Sequence, residues 1–329
     1  MKRVLITGGS GFIGHHVIER ILLQDLSTEV VCLERLDLSS SLSRLAEVID
    51  KKRHVGRIKV VWHDLKSPIN SFVAKEIGDV DVILHLAAQS HVDRSIEDPI
   101  SFVMDNVVGT ANLLEFARTC KSLKWGLYFS TDEVFGPAPD DVKYKEWDRY
   151  NSGNPYSATK AGAEELVLAY HNTYGVPFSI SHTMNVFGRR QHPEKFVPMT
   201  ISNVLHDRTV TIHADSTKTI SGSRFYIDAW DVADAVVFLY NNAVPGDKYN
   251  IVGEKELSNL QLAVIIANTL GKDLNYEMVD FHSARPGHDL RYALDGKKME
   301  GMGWKPNLKV EDRIKEVVEW SLENNRWLL

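Results

Sequence analysis

The chain has little cysteine, no long apolar run and no surplus of positive charge. Its two cysteines, Cys32 and Cys120, are too few for a disulfide framework or a metal cluster. Both lie in apolar surroundings and read as buried free thiols, which fits a reducing compartment. No apolar stretch approaches the roughly 20 residues of a membrane span. The opening MKRVLITGG enters a strand almost at once, without the charged lead and apolar core of a signal peptide. These features predict a cytoplasmic protein with no membrane partner. The net charge of −6 gives no basic surplus for nucleic acid. Internal repeats and low-complexity segments are absent. What remains is 329 residues, 43% hydrophobic and 25% charged, an ordinary globular composition with enough apolar residues for a large core and two lobes.

The first half alternates. RVLITGG, EVVCLE, IKVVWHDL, VDVILHLAA and WGLYFST are short apolar runs, most of them separated by helical patterns, and FSISHTMNVFG follows as a sixth. Continuous apolar strands between helices predict an α/β fold with a parallel, doubly wound sheet covered on both faces. Ligands of such sheets bind at the carboxyl ends of the strands. After Gly188 the texture changes: a loop, a helix, a polar segment and a further helical run follow. The expected division is a dinucleotide-binding domain over 1–188 plus about 225–250, and a smaller mixed α/β substrate lobe over 189–224 and 251–329.

TGGSGFIG places Gly8, Gly11 and Gly14 between the first strand and the first helix. Glycine allows a tight turn and close approach to a diphosphate, and the helix amino terminus offers free N–H groups and a positive dipole end. Glu34 ends the second strand, where a carboxylate can accept hydrogen bonds from both hydroxyls of an adenosine ribose. That favours NAD over NADP; Arg35, next in the chain, can welcome a 2′-phosphate and argues the other way. Asp64, after the third strand, is placed either to meet the adenine or to solvate a turn.

Tyr156 and Lys160 in NPYSATKAGAEELVLAY fall on one face of a helix. An ammonium beside a phenol lowers the phenol's pKa, and the phenolate can take a proton from an alcohol as hydride leaves. FSTDEVFG ends the fifth strand with adjacent carboxylates at Asp132 and Glu133, which are either a chemical tool or a polar turn.

Together, HLAAQSHVDRSIEDP, STDEVFG, NPYSATKA, HPEKFVP and RPGHDLRYALDGKK resemble the dTDP-glucose 4,6-dehydratase family, a nucleotide-sugar branch of the extended short-chain dehydrogenases/reductases, over nearly the whole chain. The resemblance implies a Rossmann-type domain and bound NAD. Tyr156 would take the proton of the sugar's 4-hydroxyl while hydride passes to NAD. Glu133 would then remove the proton on carbon 5, Asp132 would protonate the departing 6-hydroxyl, and hydride would return to carbon 6. Thr131 would hydrogen-bond the oxygen on carbon 4. An epimerase of the superfamily needs only the redox step, so the acid pair distinguishes the two. The same resemblance assigns Gly8, Gly11, Phe12, Ile13, Gly14, Glu34, Asp64, Leu65, Leu86, Ala87, Ala88 and Ser90 to NAD, with Ser90 also near the sugar. Asn106 would support the relay near Lys160. Asn185, Lys195, Phe196, Arg224, Asn259, Arg285, His288 and Asp289 would meet the nucleotide and diphosphate, Arg224 through planar donors suited to phosphate oxygens. His91 would either touch substrate or be structural. The segment TIHADSTKTISGSRFYI is longer than the family pattern, so Thr211 and His213 are expected to shape a base pocket for thymine or uracil. Relatives pair two helices across a two-fold axis, which implies a homodimer. The other readings are an epimerase or decarboxylase of the superfamily, and a silent NAD-binding regulatory module.

Overall fold

A computed structural model describes residues 3–37, 39–48, 54, 56–280 and 290–328. Its centre is a seven-stranded sheet in which every neighbouring pair is parallel. In chain order its first members are β1 (Arg3–Thr7), β2 (Glu29–Glu34), β3 (Ile58–Trp62), β4 (Val82–His85), β5 (Trp125–Thr131) and β6 (Phe178–Thr183). These strands are apolar on both faces because helices cover both. On one face α1 (Phe12–Gln24) packs with a later helix, α9 (Ala229–Asn242), over Val4, Ile6, Leu84 and Leu127. On the other, α7 (Pro155–Tyr174) and the helix Gly109–Ala117 cover Leu5, Ile83, Tyr128 and Ile180.

The order β3–β2–β1–β4–β5–β6 reverses between β1 and β4. A crevice opens there at the carboxyl ends of the strands, where dinucleotides bind in open α/β sheets.

The structure divides the sixth apolar run. β6 stops at Thr183, and Val186–Phe187 pair instead with Ile227–Asp228 in a separate two-stranded sheet. The chain leaves the main sheet here and enters the second half of the molecule. It returns through α9 to Lys248–Ile251, the seventh strand, which pairs with β6 at the sheet edge. Beyond the sheet, the helices Phe196–Leu205, Asn259–Leu270 and Val310–Glu323 share a core of Val197, Ile201, Leu262, Ile266 and Ile314. Val210–Ala214 and Tyr276–Asp280 form a parallel pair beside it. Cys32 is buried, but Cys120 is only half-buried, since it lies beyond the end of the helix Gly109–Ala117. Among the described residues no helix is long and apolar enough to cross a membrane.

Candidate active site

The turn after β1 is built for close backbone approach. Gly8 has φ +72°, and a Cβ there would lie 2.9 Å from the Ala87 amide nitrogen. A Cβ on Gly14 would lie 2.2 Å from the Gly8 carbonyl oxygen. The Gly11 amide donates to that same carbonyl at 3.0 Å, and α1 starts immediately afterwards. A tight, glycine-rich turn that opens a helix presents free amides and the positive end of the helix dipole, which suits a diphosphate.

Glu34 sits at the end of β2 but its carboxylate turns onto the glycine turn. Oε1 accepts from the Ser10 amide at 3.0 Å and Oε2 from the Ser10 hydroxyl at 2.6 Å. The sequence reading assigned both oxygens to ribose; here they first brace the turn, with lone pairs left over. Arg35, read as a possible 2′-phosphate ligand, is enclosed by three carboxylates, Asp37, Asp64 and Asp105. Three anions around one guanidinium leave this corner negative and hostile to a phosphate. Asp64 therefore serves Arg35 and also accepts from the Lys66 amide at 2.9 Å.

A cavity of about 590 Å³ runs from this turn across the carboxyl edge of the sheet. Phe12, Ile13, Leu65, Leu86, Ala87 and Ala88 line the end next to the glycine turn, and Ser90 and His91 lie further along. Thr131, Asp132, Glu133, Tyr156 and Lys160 line its middle. Asn185, Lys195, Phe196, Thr211, His213, Arg224 and Asn259 line its far end. Arg285, His288 and Asp289 lie outside the described residues.

Asn106 is not on this wall. It lies in a π-helical stretch, Val103–Val108, with its amide donating to the Gln89 carbonyl at 3.1 Å and the Thr159 hydroxyl at 2.9 Å. Its oxygen accepts from the Gln89 amide at 2.8 Å. It ties the loop after β4 to α7 at Thr159, the residue before Lys160.

Thr131 ends β5 and caps the short helical turn Asp132–Phe135. Its hydroxyl donates to Asp132 Oδ1 at 3.0 Å. Asp132 is 4% exposed, and its Oδ2 has no hydrogen-bond partner. Glu133 accepts from Asn154 Nδ2 at 3.2 Å. Burial raises Asp132 to about 6, against the opposing pull of Arg224. Burial and then the neighbouring Asp132 charge raise Glu133 to about 7. The adjacent pair thus titrates near neutrality, where one carboxyl can hold a proton while the other accepts one.

Tyr156 and Lys160 are both buried on α7. Burial and the facing Glu133 hold the phenol above its usual range, while Lys160 Nζ donates to the Phe129 carbonyl at 2.7 Å. Burial lowers Lys160 to about 7, opposed by the Glu164 carboxylate.

At the far end, Arg224 Nη1 donates to the Ser223 and Leu290 carbonyls, each at 2.6 Å, and its guanidinium lies 4.5 Å from the centre of the Tyr292 ring. Asn259 Oδ1 accepts from the Tyr226 hydroxyl at 2.6 Å. Thr211 donates to Glu277 at 3.2 Å. Lys195 precedes the first turn of Phe196–Leu205.

Sequence reasoning missed Arg44. It is 2% exposed, lines the cavity, and donates to the Ser39 carbonyl at 2.7 Å and the Arg190 carbonyl at 3.0 Å. Burial, with Arg190 nearby, lowers it to about 10. No local pattern marks an arginine for burial here; Ser39 is near in the chain, but the Arg190 carbonyl comes from a distant segment.

A glycine turn at the switch point, a Tyr–Lys helix pair and two carboxyls that titrate near neutrality describe a dinucleotide-dependent enzyme acting by proton transfer. The chain belongs to the GDP-mannose 4,6 dehydratase family, whose model matches residues 5–317. It is 34% identical over 358 aligned residues to the dTDP-glucose 4,6-dehydratase of Escherichia coli, covering 99% of this chain and 94% of that protein. It is also 34% identical to a trifunctional enzyme of Arabidopsis thaliana that includes a UDP-glucose 4,6-dehydratase, covering 99% of this chain and 48% of that one. Among solved structures it is similar to DesIV, a dTDP-glucose 4,6-dehydratase from Streptomyces venezuelae with NAD and TYD bound. The TM-score is 0.88 at 34% identity, over 99% of this chain and 98% of that one.

Proposed function

We propose that this chain is an NAD-dependent nucleotide-sugar 4,6-dehydratase, which converts dTDP-glucose or UDP-glucose to its 4-keto-6-deoxy form. The observation that carries the reading is the Asp132–Glu133 pair, buried at Asp132, beside Tyr156 in one cavity. An epimerase has no use for two such carboxyls, and a silent module has no use for the whole set.

The glycine turn, α1 and the wall from Leu65 to Ala88 would hold NAD, with Glu34 fixing the turn's shape through Ser10. The acid cage around Arg35 disfavours a 2′-phosphate and so favours NAD over NADP. Bound there, NAD would supply the acceptor for a hydride from sugar carbon 4 and the donor of a hydride to carbon 6. The chain's own groups move protons. Tyr156 takes the proton of the 4-hydroxyl, which needs the phenol lowered by positive charge around the loaded site, since burial alone raises it. Thr131 orients the oxygen on carbon 4. Glu133 then takes the proton on carbon 5, made acidic by the adjacent ketone, and Asp132 delivers a proton to the 6-hydroxyl through its partnerless Oδ2. Both carboxyls are raised, so the pair can hold one proton between them as acid and base.

Arg224 and Lys195 would meet the diphosphate, and Asn185 and Asn259 would position it. The residues 189–224 and 251–329 form the nucleotide lobe, and 1–188 with about 225–250 the cofactor domain. Thr211, His213 and Phe196 border the base. Relatives of both thymidine and uridine type are similar to this chain, so the base is a question for assay. We further propose a cytoplasmic homodimer formed through the helices around Asn106 and α7. In support, Ile100 is 69%, Val103 40% and Met104 37% exposed on that surface.

The test is incubation of the purified protein with dTDP-glucose, UDP-glucose and UDP-N-acetylglucosamine in turn, followed by mass spectrometry. Loss of one water without net reduced cofactor is expected for one of the glucose nucleotides. Isomerisation at constant mass contradicts the reading.

A further inference from the structure

Behind the active site lies a buried charge cluster that the proposed chemistry does not use. Its centre is Glu164, which follows Tyr156 and Lys160 at the same helical interval on α7, so all three share one face. Glu164 is 0% exposed. Its Oε1 accepts from the Ser130 hydroxyl on β5, and its Oε2 from the Tyr150 hydroxyl. His182 Nε2 on β6 lies 2.9 Å from Oε2, and Lys248 Nζ, on the seventh strand, 3.7 Å from it.

The hydrogen-bond pattern fixes the orientation of the neighbours. Asn250 Nδ2 donates to the Tyr144 and Asp295 carbonyls at 3.0 and 3.1 Å. Its Oδ1 therefore faces His182 Nδ1, at 3.0 Å, and accepts from it. Both ring nitrogens of His182 thus face acceptors, the Asn250 oxygen and the Glu164 carboxylate. His182 and Lys248 lie against Glu164, and Lys160 stands one helical turn before it on the same buried face. A buried charge needs a partner, and for Lys160 the surroundings supply little else. The Tyr128 ring lies 4.2 Å from its Nζ, the Phe129 carbonyl accepts its proton, and His85 on β4 is held neutral, burial lowering it to about 3. Glu165, exposed on α7, acts on Lys248 and Tyr150.

We propose that Glu164 is a positioning residue for the Tyr156–Lys160 pair: its buried carboxylate keeps the Lys160 ammonium charged and in place, and Lys248 competes for the same carboxylate. The inference rests on the proposed redox role of Tyr156 and Lys160. It agrees with the balance at Lys160, where burial lowers the ammonium and Glu164 opposes it.

The test isolates the oxidation half of the reaction. In an Asp132→Asn, Glu133→Gln parent, substrate oxidation is read by the absorbance of reduced nicotinamide in a single turnover, as a function of pH. Loss of the Lys160 proton sets the alkaline edge. Glu164→Gln moves that edge to lower pH by about one unit or more, the usual effect of an opposite charge at this range. Glu164→Asp restores it towards the parent. Lys248→Met moves the edge to higher pH, because Glu164 then serves Lys160 with less competition. Opposite shifts cannot come from a general loss of packing. An edge that stays put in both Glu164→Gln and Lys248→Met, or moves the same way in both, overturns the inference. If Glu164→Gln does not fold, Lys248→Met decides alone: an upward shift supports the inference and no shift overturns it. A parent that never reduces its cofactor refutes the redox reading, and this inference with it.

Discussion

Single residues here derive their chemistry from what surrounds them more than from what they are. Asp132 and Glu133 are ordinary carboxyls raised to about 6 and about 7, chiefly by burial. Because both are raised, each holds its proton to a higher pH than an exposed carboxyl would. Below about 6 both are protonated and the base is lost; above about 7 both ionise and the acid is lost. The efficiency of dehydration is therefore expected to peak between these limits, and a profile of kcat/KM against pH that stays flat from 5 to 8, roughly the range spanning both groups, contradicts the assignment. The residue types were legible in STDEVFG and NPYSATKA, but their electrical state was not. Lys160 bonds to a strand carbonyl from β5 and Glu34 to Ser10, contacts that exist only once distant segments meet.

At the scale of elements, the strand–turn–helix over Arg3–Gln24 was legible throughout, because alternating apolar runs and glycine spacing are local signals. The split of the sixth strand was not. VFG reads as a continuation of FSISHT, yet its hydrogen bonds go to Ile227–Asp228, a partner about forty residues away in the chain whose pairing no periodicity reports. The turn also yields a prediction. With a Cβ 2.2 Å from the Gly8 carbonyl, Gly14→Ala forces the loop to shift. Isothermal titration is expected to show loss of NAD affinity, with the sheet still folded by circular dichroism. Undiminished affinity would mean that the cofactor does not rest on this turn.

At the scale of the whole molecule, the carboxyl edge of the sheet at its switch point and the segments beyond the sheet line one continuous cavity. The second lobe was the least legible part, since its short strands pair only with one another across long separations. The exposed apolar row of Ile100, Val103 and Met104 makes a prediction at this scale. Light scattering is expected to give the mass of two chains, and Ile100→Glu with Met104→Glu the mass of one. A monomeric parent rules out the proposed interface.

The central claim is that the adjacent carboxyls make this enzyme a dehydratase. Its most direct test is a single-turnover experiment with the accepted nucleotide-glucose on Asp132→Asn and Glu133→Gln proteins, monitoring reduced nicotinamide and product mass together. Both variants are expected to accumulate reduced cofactor while losing little or no water from the sugar. Normal dehydration by both variants would contradict the account.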